Sequence, residues 1–573
     1  MNREIIAWDA RDPWPRGNRL LLIGPPGTGK TRNVLEVYVY PLLRAGARVL
    51  ACSFSRAAAQ ELRQRTAVAI GGSEESWKSV LSTIHSEAAR RTRHLGIQMG
   101  GPSKPKEMGP TDGDSIDLDQ AEHLAEIERR GDRDAMAAWD YVRQVWPEDR
   151  RLAPRARLSR ILYGEDLDRA EAAVQVDLNQ RHEDGRLTRP DFTGLLELAL
   201  DHGAGRPLDL LAVDEAQDLP PLQWAVIDLW AQEARRLLVV GDPDQAIYGW
   251  AGADGQRLLR WIREGDPTRR LAQSWRVPPA VHRLARRIVS EIGNREDAPY
   301  QPSDRDGEVR SVEAREAWAE VASAQEAGRT VLVLSRTRAG LTQAVDELVE
   351  DGVPHVAERG ASLLRRDGGP FRLACALSSW CWWNRLADLA DARKFVASID
   401  TRGELMAGHR GAKGRLVKAL AATEDQPVPL GELATHGVSA ATLTAQWADP
   451  DPEWWGRNIL ASSVAAHELL SVRDWLAQYG DAERLIAAAD LVRATTAHGS
   501  KGREAELVVL DARRSAWFGD RRGGRPEPRP VHERRDEDLR VLYVAVTRAK
   551  GDLLVIRGED RDWFRLHGLS LRG

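Results

Sequence analysis

Residues 19–31, Arg19-Leu20-Leu21-Leu22-Ile23-Gly24-Pro25-Pro26-Gly27-Thr28-Gly29-Lys30-Thr31, decide how this chain is read. The run from 19 to 24 is short, apolar and closed by glycine, the texture of a buried parallel strand feeding a loop. The eight residues from Gly24 match the spacing G-x-x-x-x-G-K-[ST]. Glycines permit a tight turn whose backbone N–H groups, with those of the following helix N-terminus, converge on an anion. Lys30 adds a positive charge on a long stem, and Thr31 a hydroxyl suited to Mg2+. Gly24, Pro25, Pro26, Gly27, Thr28, Gly29, Lys30 and Thr31 are thus candidate contacts to nucleotide phosphates, and Thr31 also to the metal.

Outward from this loop, residues 47–54, 207–214, 235–241, 330–334 and 506–511 repeat the apolar-strand texture. Helical patterns separate most of them, which predicts an α/β architecture with parallel sheets. Two stretches break the alternation. Residues 99–115 are rich in Gly and Pro and read as a loop; a charged, helical region over 116–186 follows, carrying Arg150, Arg151, Arg155, Arg157 and Arg160. That basic tract reads as a solvated helical face, with strand or duplex contact as the competing reading. Residues 396–487 are Ala/Leu-rich and helical, and 519–530 read as another loop. Both helical stretches look like insertions into α/β domains.

The 573 residues hold 82 Lys and Arg against 86 Asp and Glu, a formal net charge of −4. An anionic partner therefore has to be held by a local basic groove, since the global field does not favour it. With 42% hydrophobic and 29% charged residues, the chain is expected to fold into packed domains. Cys52, Cys375 and Cys381 show no zinc-type spacing, which argues against a disulfide framework or metal cluster. There is no apolar run of about 18 residues and no leader-like pattern, so the expectation is a cytoplasmic chain without membrane contact. Only nine residues are lysine, so one kept inside the loop is informative.

Leu211-Ala212-Val213-Asp214-Glu215 closes another apolar strand. Asp214, at the strand end, is suited to hold Mg2+ through water, and Glu215 to orient and deprotonate an attacking water. Alone, such a pair reads as a solvated strand end. Beside a phosphate loop it reads as a hydrolytic site.

DEAQD at 214–218, followed by Val240-Gly241-Asp242-Pro243-Asp244-Gln245-Ala246-Ile247-Tyr248-Gly249-Trp250-Ala251-Gly252-Ala253, resembles motifs II and III of the UvrD/Rep/PcrA-type superfamily 1A helicases. Further stretches follow in the family's order. Ser53–Leu62 resembles motif Ia, Ser82–Ser86 the Thr-Phe-His motif, and Asp191-Phe192 the return to the first motor domain. Leu271–Pro278 resembles motif IV, Thr495–Glu504 motif V, and Leu542–Lys550 motif VI. The likeness covers 18–96, 188–340 and 488–556; the two insertions resemble nothing identifiable.

That resemblance implies two tandem RecA-like motor domains, each with a helical insertion and with ATP in the cleft between them. The first domain is expected at 1–96 and 188–275 with 97–187 inserted, the second at 276–395 and 488–573 with 396–487 inserted. Glu215 would be the base, Gln245 the γ-phosphate sensor, and Arg276 and Arg548, from the second domain, arginine fingers. Trp275 would stack on the adenine, Glu504 contact the ribose, and Arg32 join the nucleotide site. Tyr248 and Trp250 would offer stacking faces to bases, while Ser55, Arg56, Thr83, His85 and His498 would line the DNA backbone track. The sequence departs from the family at Arg56-Ala57, Ser274-Trp275 and Arg503, and its second insertion is smaller than usual. Trp380, Trp382 and Trp383 lie just upstream of that insertion and read as partly core.

The implied activity is 3′-to-5′ movement along single-stranded DNA and unwinding of 3′-tailed duplex, driven by ATP and Mg2+, in repair, replication or recombination. Three alternatives stand beside it: a single-strand translocase or sensor subunit of a repair or phage-defence assembly, an RNA-directed enzyme, and a non-catalytic nucleotide switch. The full hydrolytic set of Lys30, Asp214, Glu215, Gln245, Arg276 and Arg548 argues against the switch. Protein partners are not legible.

Overall fold

The computed structural model describes residues 18–53, 56–97, 131–183, 186–187, 189–358, 363–364, 369–383, 385–406, 411–423, 426–459, 465–513 and 531–557. The loops expected at 99–115 and 519–530 lie outside these residues. One compact unit takes the chain up to Asp306 and recovers the helix Val531–Val546; the other begins at Gly307 and includes the strand Ala549–Ile556.

In chain order the first unit holds β1 (Arg19–Ile23), β2 (Val49–Ser53), β3 (Leu81–Thr83), a short antiparallel pair of β4 (His182–Glu183) and β5 (Arg186–Leu187), then β6 (Leu210–Asp214), β7 (Leu237–Gly241) and β8 (Thr268–Arg270). Apart from the pair they form one parallel sheet in the order β3-β2-β6-β7-β1-β8. The continuous apolar run in β1 follows from burial on both faces. Leu21 and Ile23 pack into a cluster with Trp224 and Trp230, while Leu20 and Leu22 join Val34, Leu35 and Tyr38 on the opposite side. Each such side chain contributes about 1.5–3 kcal/mol on leaving water.

The second unit holds β9 (Val309–Val312), β10 (Val331–Ser335), β11 (Val356–Ala357), β12 (Val492–Thr496), β13 (Ala505–Asp511) and β14 (Ala549–Ile556), again parallel, in the order β11-β12-β10-β13-β14-β9. Two six-stranded parallel sheets covered by helices are the α/β architecture expected of two RecA-like domains.

The first unit extends past the expected 275/276 division. Helix Pro279–Ser290 belongs to it and packs against helix Val531–Val546. The second insertion also begins earlier than expected. It leaves the sheet after β11 and returns at its neighbour β12. Helix Gly369–Cys381 already shares one core with the helices that follow, through Trp380, Phe395, Trp447, Trp455 and Trp475. Trp380 is buried, and its indole N–H donates to the Val428 carbonyl at 2.8 Å. Trp382 and Trp383 pack against the same core, with the Arg473 guanidinium over the Trp382 ring.

In the first insertion most of the basic tract is paired with acids. Arg150 pairs with Asp201 at 3.0 Å, Arg155 with Asp168 and Glu171, Arg157 with Glu197, and Arg160 with Asp149. Arg151 lies 4.0 Å from Asp201. Among the described residues no helix is long and apolar enough to cross a membrane.

Candidate active site

Parallel register brings the motifs of the first unit to one sheet edge. Ile23 pairs with Gly241, and Ser53 with both Asp214 and Thr83. The phosphate loop, the DEAQD segment and the motif III segment therefore all leave the carboxyl ends of neighbouring strands, the edge where open α/β sheets take their ligands.

Within the loop, Gly27 and Gly29 adopt φ of 75° and 78°, a region that side chains resist. Gly27 is also packed closely: a Cβ there would stand 2.6 Å from the Ser274 hydroxyl and from the Arg276 Cβ. Lys30 is buried and its Nζ donates to the Gly24 carbonyl at 2.6 Å. The helix beginning at Lys30 widens over Val34–Val39 before Tyr40–Arg44. Pro41 explains the widening, since it lacks an N–H and its ring crowds the carbonyl four residues back.

Thr31 Oγ1 donates to Asp214 Oδ2 at 3.1 Å. Burial, reinforced by the neighbouring Glu215, pushes Asp214 up to about 6 despite Lys30. Asp242, at the start of motif III, is likewise raised by burial to about 6 and accepts from Gln245 Nε2 at 2.6 Å. Glu215 has φ 54°, the one positive value outside glycine among the described residues. Such a conformation costs a non-glycine residue about 1–2 kcal/mol. Hard oxygens on Thr31 and Asp214, next to a buried lysine, suit Mg2+, which keeps most of its waters and takes one or two protein ligands.

Motif IV braces the loop from outside. Pro26 O accepts from Ser274 Oγ at 3.0 Å and from Tyr300 Oη at 3.1 Å, while the Trp275 N–H donates to Gly27 O at 2.9 Å. Ser274 is fully buried, so a short hydroxyl fits where the family's longer Asn is usual. The Trp275 ring is 68% exposed beside the loop. Arg276 was expected from the second motor domain. It lies in the first unit, because its backbone follows Ser274 and Trp275 onto the phosphate loop. Arg32 is exposed and pairs with Glu36 at 2.8 Å. Asp244 pairs with Arg295, also at 2.8 Å.

Of the residues expected on the DNA track, Thr83 caps helix Ile84–Thr92 by accepting from the Ser86 N–H at 3.2 Å. His85 is buried edge-on to Phe192, and burial holds its imidazole down at about 3, so it is neutral at pH 7. Tyr248 is 3% exposed, which leaves Trp250, half-buried, as the open ring of that pair. The Trp250 backbone N–H donates to Glu537 at 3.3 Å. Ser55 and the side chain of Arg56 lie outside the described residues.

In the second unit, Ser335 pairs with Thr496 and Val331 with Leu507, so His498 follows the carboxyl end of β12 while Glu504 precedes β13 at the opposite edge. Arg548 is buried at that same edge and donates to the Arg503 carbonyl at 3.3 Å; Lys550 pairs with Glu504 at 3.0 Å. Five residues of strand, about 16 Å, separate the residue expected to touch DNA from those expected to touch nucleotide.

Sequence reasoning missed Gln217, Ser274 and Tyr300 as parts of the site. Gln217 stood inside DEAQD and Ser274 at a departure from motif IV, so both carried a signal. Tyr300 carried none.

A family model described as an AAA domain matches residues 15–251. The ATP-dependent DNA helicase PcrA of Leuconostoc citreum is 27% identical over 309 residues, 48% of this chain and 38% of the relative. DNA helicase II of Escherichia coli K12 is 27% identical over 320 residues, 52% of this chain and 42% of the relative. The ATP-dependent DNA helicase UvrD2 of Mycobacterium tuberculosis H37Rv is 26% identical over 399 residues, 61% and 54% of the two chains. The chain thus spans about half or less of the length of these curated relatives. The ordered motifs, the two parallel six-stranded sheets and these relatives agree in a resemblance to the UvrD/Rep/PcrA type of superfamily 1A.

Proposed function

We propose that this chain is an ATP-dependent DNA helicase or translocase that moves 3′ to 5′ along single-stranded DNA. The observation that carries the reading is the convergence of Lys30, Thr31, Asp214, Glu215 and the Asp242–Gln245 segment on one sheet edge. Mg2+-bound ATP would supply the transferable phosphoryl group. Backbone N–H groups of the loop and Lys30 would bind its phosphates, Thr31 and Asp214 would hold the metal, and Glu215 would take a proton from water. Trp275 offers a stacking face to the base, and Arg276 and Arg548 are arginine-finger candidates on the family resemblance. Trp250 supplies the base-stacking contact to DNA. The DNA-helicase names of the relatives support DNA as the polymer.

The test pairs DNA-stimulated ATP hydrolysis with strand displacement on 3′-tailed, 5′-tailed and blunt duplexes. Unwinding of the 3′-tailed duplex alone is expected. Hydrolysis stimulated by single-stranded DNA with no duplex unwound favours the translocase or sensor reading. Stimulation by RNA in preference to DNA, or by neither, overturns the proposal.

A further inference from the structure

Gln217 is fully buried between two parts of the site that the mechanism above treats separately. Its Oε1 accepts from the Asp242 backbone N–H at 3.0 Å, and its Nε2 donates to Glu215 Oε2 at 2.6 Å. The amide orientation follows from chemistry: a backbone N–H demands the carbonyl oxygen, which turns the NH2 group towards the carboxylate. Nε2 also lies 3.4 Å from Asp218 Oδ2. Gly241 makes the approach possible, since a Cβ there would stand 2.5 Å from Gln217 Oε1. The result is a hydrogen-bonded chain from Gln245 through the Asp242 carboxylate and backbone, then Gln217, to Glu215.

We propose that Gln217 is a positioning residue, which fixes the Glu215 carboxylate in line with the motif III segment and so ties the base to the γ-phosphate sensor. The inference rests on the hydrolytic reading given above. Glu215 sits on a strained backbone, with φ 54°, and a strained residue holds its place only when its surroundings over-determine it. Gln217 provides that constraint at the side-chain end. A carboxylate does not replace it: the amide serves because one end must accept and the other must donate.

Gln217→Glu keeps length and shape but puts an acceptor where the donor stood, beside another carboxylate. Gln217→Met keeps bulk and removes both bonds. Steady-state hydrolysis with saturating single-stranded DNA, binding of a fluorescent ATP analogue, and the thermal midpoint are measured for both. The expected result is a fall in kcat of about 30-fold or more, with KM and analogue affinity within about threefold. Gln217→Glu within about threefold of the parent kcat, or a loss that falls on KM, overturns the proposal. If Gln217→Met does not fold, Gln217→Glu decides alone. Glu215→Gln is run in parallel: its activity surviving sinks the hydrolytic reading, whereas an inactive Glu215→Gln with an active Gln217→Glu sinks only the positioning role.

Discussion

The Thr31 hydroxyl donates to the Asp214 carboxylate across 3.1 Å, joining the phosphate loop to the end of β6. Burial raises Asp214 to about 6, so its charge is lost as the pH falls through that value. A protonated carboxyl ligates Mg2+ poorly. At pH 5.5 an acid of that strength is about one-quarter ionised, and the apparent Mg2+ affinity in the presence of an ATP analogue is expected to fall about fourfold from pH 7.5. Titrating Mg2+ at both pH values checks this; tighter binding at pH 5.5 would contradict the proposed metal role of Asp214.

Arg143 is 5% exposed in its side chain and pairs with Asp191 at 2.8 Å and with Glu197 at 2.8 Å. Burial alone would raise Asp191, but Arg143 outweighs it and holds the carboxyl down at about 2. Because the folded value lies below the unfolded one, this stabilisation is present above about pH 4 and is lost as the pH falls towards 2. Arg143→Met leaves two carboxylates half-buried, with Arg157 still on Glu197. The expected cost is about 2–3 kcal/mol, less than for a fully buried pair because water reaches both acids. Urea unfolding at pH 7 reads it directly, and a loss below about 0.5 kcal/mol would show the pair to be expendable.

Much of this architecture was legible because the apolar runs at β1, β2, β6, β7, β10 and β13 are buried on both faces and leave no alternation to confuse. The strands β3 and β8, three residues each, were not, since Leu81-Ser82-Thr83 and Thr268-Arg269-Arg270 are too short and polar to register. Phosphate-loop and DEAQD residues were legible through spacing that chemistry enforces. Arg276 falls in the first compact unit, where the Trp275 backbone N–H holds this segment on the phosphate loop, a tertiary contact that no side-chain pattern encodes. Tyr248 and His85 kept the family's residue types, yet their burial depends on neighbours such as Phe192 that lie far along the chain.

Trp250→Ala is expected to weaken single-strand binding by about 1–3 kcal/mol while leaving DNA-independent hydrolysis in place. The ring is half-buried and the residue is tied to Glu537 through its backbone, which the substitution preserves. DNA stimulation of hydrolysis and translocation should fall together. Unchanged affinity and translocation would assign the ring to the core.

Nucleotide choice is the least constrained property of the site. The family resemblance implies adenine readout by a glutamine upstream of the phosphate loop, and residues 1–20 contain no glutamine; Asn2 and Asn18 are the available amides. Asn2 and Trp8 lie outside the described residues. Asn18 immediately precedes β1, where its carbonyl accepts from the Leu237 N–H at 2.7 Å. The loop leaves the other end of the same strand after five residues, about 16 Å away, which is beyond the reach of an asparagine side chain. Trp275, 68% exposed beside Gly27, can stack on the base, but stacking hardly separates adenine from guanine. Two neutral hydrogen bonds at about 0.5–1.5 kcal/mol each would give roughly 5- to 150-fold discrimination, and no described side chain supplies them from the family's position. DNA-stimulated hydrolysis is therefore expected to prefer ATP over GTP by less than about tenfold in kcat/KM. Measuring both with saturating single-stranded DNA decides it: a preference above roughly 100-fold means that another group, Asn2 or a backbone carbonyl near Trp8, reads the base.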